Sequence, residues 1–539
     1  MNMHSSADSF MAYSGLPIDY NIDLPKGVAP EWDFVILSAS NEVQAFGYRK
    51  QIEYRLAAGF LPNDTHYAVV PDIEGNRIGS GGAAFNILKY IRDNSDEADC
   101  FSNKRILVIN SGGDSMRIPQ YSACGKLFSP VPKELSTGLS STLFDEIIKS
   151  VSEIPARMQS GLLTMAGDIL IYFDPDQIDL KSCDAAAFSI CEDIQKGRNH
   201  GVFIPDAEGI VKMFLHKSSI DDLRHFGAED YNGKVHLDTG AIWFGSDIVK
   251  SLFGLISDDG KIENEKFAKF TNRKSRLSFY ADFIYPMARD SSLARFYSEK
   301  PEGDFTDELI CCRTKLWGEL HKYSMRLISL SPAVFIHFGT TAELLKMMTK
   351  DIEKYSSQGW KRAVNSNVLA LDRYSANSSF IDENTTIGDG SYIENSSLSK
   401  SKVGRDCIVS NVTIDFAEIP DNTVIHCLKQ NDGGFVVRIY GIYDDPKQGI
   451  DSGGTFLGMP MRDFIRKHKI MFSDLWDNEP NTLWNAKLFC KCDSLRQSLE
   501  YALKLCTDSA EICDTGCLVS LKQSYENADY NNIFNPGKL

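Results

Sequence analysis

The stretch from Arg105 to Val131, RILVINSGGDSMRIPQYSACGKLFSPV, decides the fold class. Ile106-Leu107-Val108-Ile109 is a short unbroken apolar run, the pattern of a strand buried on both faces of a parallel sheet. It breaks into Ser111-Gly112-Gly113-Asp114-Ser115, where two glycines let backbone N–H groups approach a phosphate that a Cβ would hold away. Arg117 follows at the mouth of the loop, and Lys126 comes nine residues later beside Gly125. Neutral backbone donors followed by an arginine and a lysine suit a polyphosphate. The stretch is not a Walker loop. Gln120 stands where that motif needs its first glycine, and Leu127 follows the lysine where it needs serine or threonine.

Upstream, Trp32 to Ser40 (WDFVILSAS) predicts a strand, Asn41 to Gly59 a helix and His66 to Pro71 (HYAVVP) a second strand. Gly79-Ser80-Gly81-Gly82-Ala83-Ala84 then leads into a helix over Phe85 to Arg92. The loop formally matches the dinucleotide fingerprint. That fingerprint also wants an acid ending a strand about 20 residues on, and here the distance falls in the polar run Asp93-Asn94-Ser95-Asp96-Glu97. A second phosphate- or base-contacting loop at a helix N-terminus suits Gly79, Gly81 and Gly82 better, beside the plainer reading of a turn that needs positive φ.

Downstream, Ser141 to Ser152 predicts a helix, and Gly161 to Phe173 (GLLTMAGDILIYF) a buried strand region that holds Asp168 after Gly167. An acid inside an apolar run is costly unless a cation meets it. At the carboxyl end of a parallel strand facing a polyphosphate, the simplest such cation is Mg²⁺; a carboxylate capping a nearby helix is the alternative. Asn199 to Phe203 and Val211 to Leu215 read as a hairpin, with Lys217 just beyond. Val235 to Phe244 and Phe279 to Tyr285 read as strands, the latter carrying Asp282, and Ala333 to Phe338 leads to a helix start capped by Thr340. Strands and helices alternating over residues 30–350 predict an α/β fold with a mostly parallel sheet.

The pattern changes after Ser378. Ile381, Ile387, Ile393, Leu398, Val403, Val409, Ile414, Ile419 and Val424 recur five or six residues apart, with Gly, Ser, Asn and Asp between. That is the period of a left-handed parallel β-helix, three short edges per coil; ordinary short strands are the alternative. Residues 455–530 read as helical and irregular, anchored by Trp476, Trp484 and Phe489.

With 57 Lys and Arg against 73 Asp and Glu, the net charge of −16 argues against nucleic acid as a partner and makes any phosphate groove a local basic exception. No apolar run reaches the roughly 20 residues of a membrane span, and the first residues lack the pattern of a signal peptide. Thirteen cysteines, an odd number, fit a reducing cytoplasm. Cys490, Cys492, Cys506, Cys513 and Cys517 crowd together without a Cys-x-x-Cys pair, and read as inert thiols before a metal site.

Strand, glycine loop, arginine, proline and lysine in this order resemble the signature of sugar-nucleotide pyrophosphorylases. The whole chain resembles the fucose-1-phosphate guanylyltransferases, or GDP-fucose pyrophosphorylases, which occur alone or as the N-terminal part of bifunctional L-fucokinase proteins. The matching pieces are Gly79-Ser-Gly-Gly-Ala83, Ser111-Gly-Gly-Asp-Ser-Met-Arg117 with Pro119 and Gly125-Lys126, Gly167-Asp168, His200-Gly-Val-Phe203, Asp238-Thr-Gly240, His337-Phe-Gly-Thr340 and Gly434-Phe-Val-Val-Arg-Ile-Tyr-Gly441. No kinase phosphate loop is seen, so fucose phosphorylation is not expected of this chain, while a partner fucokinase and a homo-oligomer stay open.

The resemblance implies an N-terminal arm (residues 1–30) and a glycosyltransferase-A-like, Rossmann-like nucleotidyltransferase domain (31–370). A left-handed β-helix (371–445) and an α-rich C-terminal region (446–539) would follow. It implies condensation of GTP with L-fucose 1-phosphate to GDP-L-fucose and pyrophosphate. Gly112 and Gly113 would supply backbone donors, Arg117 would meet the β- and γ-phosphates and Lys126 the α-phosphate. Asp168 would hold Mg²⁺, with Asp282 a candidate second metal or sugar ligand. Lys217, here in His216-Lys217-Ser218, takes the place of a lysine that grips the sugar phosphate. His337 stands where many relatives have an aspartate and reads as a phosphate or sugar contact; Gly201 and Asp238 would face sugar hydroxyls. The competing readings are a pyrophosphorylase for another sugar or nucleotide, a non-catalytic nucleotide-sugar-binding scaffold, a nicotinamide or flavin oxidoreductase using Gly79–Ala84, and a β-helix acyltransferase.

Overall fold

The computed structural model describes residues 31–533 apart from 98, 136–137, 369–372 and 508–514. The expected N-terminal arm, the boundary expected at 370–371 and Cys513 lie outside the described residues.

Arg105–Asn110 is the strand its sequence predicts, with Ile106 and Val108 in one apolar cluster and Leu107 and Ile109 in another on the opposite face. It lies between Phe34–Ala39 and Gly161–Ala166, parallel to both, and Phe34–Ala39 pairs in parallel with His66–Pro71 on its far side. The chain thus steps one way from Phe34–Ala39 to His66–Pro71 and the other way to Arg105–Asn110. The strand order reverses there, and open α/β sheets bind ligands at the carboxyl ends flanking such a switch point. Both the Ser111–Ser115 turn and Asp168 leave the sheet at that edge.

The expectation of a mostly parallel sheet needs correction, because the sheet is mixed. Lys234–Gly245 runs antiparallel to Gly161–Ala166, Ala185–Asp193 and Gly201–Pro205, while Met325–Ser329 pairs in parallel with Ala185–Asp193. Gly201–Pro205 and Val211–His216 form the expected hairpin, and a connection this short admits only antiparallel pairing. Asp206 ties the turn by accepting the N–H groups of Glu208 (3.0 Å) and Ile210 (2.9 Å).

Two local expectations also change. The glycines 79, 81 and 82 lie inside the first turns of a helix, Gly79–Asp93, rather than in a loop before it. Phe279–Phe283 is a π-helical turn, not a strand, since Asp282 turns inward to a buried arginine. The Gly161–Phe173 run breaks at Gly167-Asp168, after which Ile169–Phe173 leaves the main sheet and pairs antiparallel with Ala333–His337.

From Ser375 to Lys429 short parallel strands form three ladders in register: Ile381 with Leu398 and Ile414, Ile387 with Val403 and Ile419, and Ile393 with Val409 and Ile425. Neighbouring coils are bonded through residues 16 or 17 apart, as where Ser391 Oγ accepts the N–H of Cys407 and Ser379 Oγ that of Ser396. The polar residues between apolar positions make the corners, where Asn395, Asn411 and Asn422 adopt left-handed φ, which Asn tolerates better than branched residues. Thr423–Lys429 then pairs antiparallel with Phe435–Gly441, and Phe489–Cys492 and Leu518–Val519 extend this second sheet. Helices Met461–Lys467, Leu495–Lys504 and Leu521–Glu526 accompany those strands, so the C-terminal residues are mixed α and β. One apolar cluster runs from Leu107 through Leu398 to Phe489 and Tyr525, so the coils and the C-terminal residues share a core with the first sheet. Among the described residues, no helix is long and apolar enough to cross a membrane.

Candidate functional site

The glycine turn after Arg105–Asn110 is fastened from the neighbouring strand. Ser38 Oγ accepts the N–H groups of Ser111 (3.1 Å) and Gly112 (3.2 Å), and Gln44 Nε2 donates to Gly113 O at 3.0 Å. The Gly112 N–H therefore serves the turn instead of standing free for a phosphate, a correction to its expected role. Gly113, at φ +136°, borders open space where a Cβ would sit. Asp114, next in the chain, pairs with Arg77.

Lys126 is placed by its neighbour Gly125. With φ +74°, Gly125 lies so close to Tyr48 that any Cβ would strike the phenol ring, and Tyr48 Oη in turn donates to Ser111 O at 3.1 Å. Tyr48 thus links the glycine turn to the segment that carries the lysine. Lys126 Nζ donates to Asp168 Oδ2 at 3.1 Å and to Gly339 O at 3.4 Å.

Asp168 occupies the break between Gly161–Ala166 and Ile169–Phe173. Gly167 N–H donates to Asn110 O and Phe338 N–H to Asp168 O, both at 2.9 Å, which brings His337 Nε2 to 3.9 Å from Asp168 Oδ2. Burial alone would raise this carboxyl. Lys126, then His337 and Arg117, outweigh burial and hold it below the usual carboxylate range, so it stays anionic at neutral pH. Arg117 is exposed, and its carbonyl accepts both the N–H and the Oγ1–H of Thr341 at 3.1 Å. That ties the arginine to the helix Thr341–Met348, whose capping box of Thr340 and Glu343 matches the expected helix start.

Two histidines complete the wall. The His200 and His337 rings lie edge to face, 5.4 Å apart. Burial, reinforced by the charge of His337, pushes His200 down to about 4; burial lowers His337 as well, against the pull of Asp168. Lys217 N–H donates to His200 O at 3.0 Å, and Lys217 itself has φ +52°, a left-handed conformation uncommon outside glycine, asparagine and aspartate. In the sequence His200 carries no signal of a role beyond its place in His200-Gly-Val-Phe203, and only the fold sets its ring against His337. Its neighbour Gly201 packs where a Cβ would press on the Phe214 ring at 2.7 Å and on Asp238 Cβ at 2.9 Å. Asp238 is buried, accepts Gly240 N–H at 2.8 Å, and is pushed up to about 6 by burial.

Asp282 does not belong to this group. It forms a fully buried pair with Arg313 (2.8 Å, both side chains 0% exposed), and its other oxygen accepts Ser278 N–H at 2.7 Å. Arg313 in turn donates to Phe296 O and Glu299 O at 3.0 and 2.8 Å. Both carboxylate oxygens of Asp282 are engaged in holding this fold, so it is not available to a metal. The glycines at 79–82 also serve packing. Gly81 N–H donates to Leu277 O at 2.9 Å, and added Cβ atoms at Gly79 and Gly81 would collide with residues 276–277. Gly82 presses on Ile78 in the same way. The Gly81 amide is therefore not available to a phosphate.

Lys126, His337 and Arg117 thus act on the ionised Asp168 carboxylate at the carboxyl edge of the sheet, with His200 beside His337 and the Glu343 carboxylate acting on both histidines. A polyanion with its own cation suits that balance. Among the described residues no group of three or more His, Cys, Asp and Glu side chains could hold a metal ion. Cys490 and Cys492 approach each other, Sγ to Sγ, at 3.5 Å.

A family model described as the fucose pyrophosphorylase domain matches residues 98–494. The chain is similar to the human protein named fucose-1-phosphate guanylyltransferase, at 24% identity over 524 residues, covering 88% of this chain and 84% of that protein. It is also similar to the bifunctional fucokinase/GDP-fucose pyrophosphorylase of Arabidopsis thaliana, at 27% identity over 514 residues, covering 85% of this chain and 47% of that protein. The chain therefore spans about half the length of the bifunctional relative. A solved structure of HddC from Yersinia pseudotuberculosis complexed with GMP-PN aligns over 58% of this chain and 97% of that one, at 12% identity and a TM-score of 0.25.

Proposed function

The chain belongs to the fucose pyrophosphorylase family, and from that premise we propose that its cation cluster joins GTP to L-fucose 1-phosphate. The observation that carries the reading is Lys126 at 3.1 Å from Asp168, with Arg117 and His337 acting on the same carboxylate at the switch point of the sheet. A phosphate oxygen of fucose 1-phosphate attacks the α-phosphorus of GTP, the bond from that phosphorus to the β-phosphate oxygen breaks, and pyrophosphate leaves. The attacking oxygen is already anionic near neutral pH, its second pKa being about 6, so no general base is needed. Catalysis is positioning plus neutralisation of charge. Lys126 meets the α-phosphate, Arg117 the departing phosphates and Lys217 the sugar phosphate. Asp238 accepts a sugar hydroxyl beside Gly201.

The donor set at Asp168 fits Mg²⁺. The carboxylate is partly exposed and held anionic, and Mg²⁺ commonly takes one or two carboxylates together with substrate phosphates and water. Held by Asp168, Mg²⁺ would supply positive charge that screens the repulsion between the substrates' phosphates. Within the same reading the first sheet is a glycosyltransferase-A-like nucleotidyltransferase domain, and the coils are a left-handed β-helix, a reading supported by their parallel registers. A cytoplasmic setting belongs to the same proposal, supported by the thirteen cysteines, an odd number, spread along the chain.

Pyrophosphate release is the test, with four nucleoside triphosphates crossed against fucose, mannose and glucose 1-phosphates in Mg²⁺. Release confined to GTP with fucose 1-phosphate is the expected result. Release with a different pair would keep the mechanism and change the substrates, and no release with any pair would leave a binding scaffold.

A further inference from the structure

The site described so far comes from residues 105–341, yet a later segment reaches it. Phe435–Gly441 is hydrogen-bonded directly to the chain just after Arg117. Tyr440 Oη accepts Gln120 N–H at 3.1 Å and donates to Gln120 Oε1 at 2.6 Å, while Arg438 donates to Pro119 O (2.8 Å) and to Ser122 Oγ (3.0 Å). The loop leaving this strand at Gly441 is itself pinned. The Asp444 carboxylate accepts the N–H groups of Gly441 (2.6 Å), Leu457 (2.7 Å) and Gly458 (3.2 Å) and the hydroxyl of Thr455 (2.7 Å).

The far side of the loop is held as well. Pro446 O accepts Trp484 N–H at 3.1 Å, and Trp484 O accepts Lys522 N–H at 3.1 Å. Lys522 lies in the first turn of the helix Leu521–Glu526, whose Lys522, Tyr525 and Glu526 all interact electrostatically with Asp114 of the glycine turn. Lys447 follows these anchors and lies between the Pro446 bond to Trp484 and the pairing of Gly449 with Thr482.

Lys447 is exposed, yet partial desolvation of its ammonium, then the charge of Arg117, with Arg77 and Lys217 behind it, pushes it below the usual lysine range against the pull of Asp445. Lys447 and Arg117 repel each other against the pull of Asp445, with Arg77 already paired to Asp114, and a backbone that keeps the two cations together favours a multivalent anion.

We propose that Lys447, carried by the loop pinned through Asp444, binds the diphosphate that leaves GTP, alongside Arg117. The inference rests on the function proposed above and adds to it a residue from outside the nucleotide-binding sheet. Arg117 acts on Lys447 more strongly than Lys217 does, so in this proposal Lys447 meets the β- and γ-phosphates rather than the sugar phosphate.

The test compares wild type, Lys447→Ala and Lys447→Arg in pyrophosphate binding by titration calorimetry, and in the KM values for GTP and fucose 1-phosphate. Lys447→Ala is expected to weaken pyrophosphate and raise the KM for GTP by about tenfold or more, with fucose 1-phosphate changed less than about twofold and Lys447→Arg recovering most of the loss. All three proteins are expected to melt together, because the side chain is largely on the surface. Unchanged pyrophosphate and GTP constants in Lys447→Ala would overturn the assignment, as would a loss confined to fucose 1-phosphate or a lowered melting temperature. Wild-type protein that binds neither pyrophosphate nor GTP would overturn the proposed function itself, a result distinct from a silent Lys447.

Discussion

Replacing Lys126 with methionine keeps most of the side-chain stem and removes only the ammonium that reaches Asp168 (3.1 Å) and Gly339 O (3.4 Å). Two consequences follow, of different size. The stability loss is small, because Asp168 is 31% exposed and water takes over part of the lost pairing. Such a pair lies nearer the ~1 kcal/mol of an exposed ion pair than the ~3–5 kcal/mol of a sealed one. The kinetic loss is larger: a donor aimed at charge developing in the transition state is worth ~2.7–4 kcal/mol, or a fall of about 10²–10³ in kcat.

The pH profile moves too. In the native protein Lys126, His337 and Arg117 outweigh the burial that would raise Asp168. A carboxyl depressed in this way contributes stability above its unfolded pKa and loses it as the pH falls through the folded value. Without Lys126 burial gains on the remaining cations, the carboxyl rises, and the acid limb of activity shifts to higher pH. The assay is pyrophosphate release at saturating substrates from roughly pH 5 to 9, with urea unfolding alongside. A kcat within about fivefold of wild type and an unmoved acid limb would refute the reasoning.

Asp168→Asn is expected to fold normally and lose pyrophosphate release by about 10² or more, since an amide is a poor Mg²⁺ ligand; wild-type rates across a Mg²⁺ titration would remove Asp168 from the site. Asp238→Asn is expected to stabilise the protein at neutral pH. The carboxyl is raised to about 6 by burial, so its stability contribution is present below the unfolded pKa and lost as the pH rises through 6. The gain is up to ~3 kcal/mol above that range and vanishes below about pH 4. Unfolding curves that differ equally at every pH would contradict this. Asp282→Ala should cost ~3–5 kcal/mol by stranding the Arg313 guanidinium, and Asp282→Ala with Arg313→Met should recover much of it; unchanged stability with an altered Mg²⁺ requirement would make Asp282 a metal ligand after all.

Local patterns were legible without any coordinates. The run Ile106–Ile109 is a strand buried on both faces because nothing in it tolerates water, and the glycine turn must follow where that run ends. Apolar residues five or six apart between Ile381 and Val424 announce short stacked edges, since each must find the same interior as its counterpart one coil away. The capping box at Thr340 and Glu343 is equally local. What depends on partners far along the chain was not legible. A glycine run looks the same whether its amides meet a phosphate or, as at Gly81, the carbonyl of Leu277. An aspartate in an aromatic stretch looks the same whether it binds a metal or, as at Asp282, an arginine on a distant helix. Lys447 carries no motif at all, and the loop that bears it is tied to the segment after Arg117 by Tyr440, Arg438 and Asp444. Periodicity reports the environment a residue requires, whereas charge pairing is set by which residues the folded backbone brings together, and that only the tertiary structure decides.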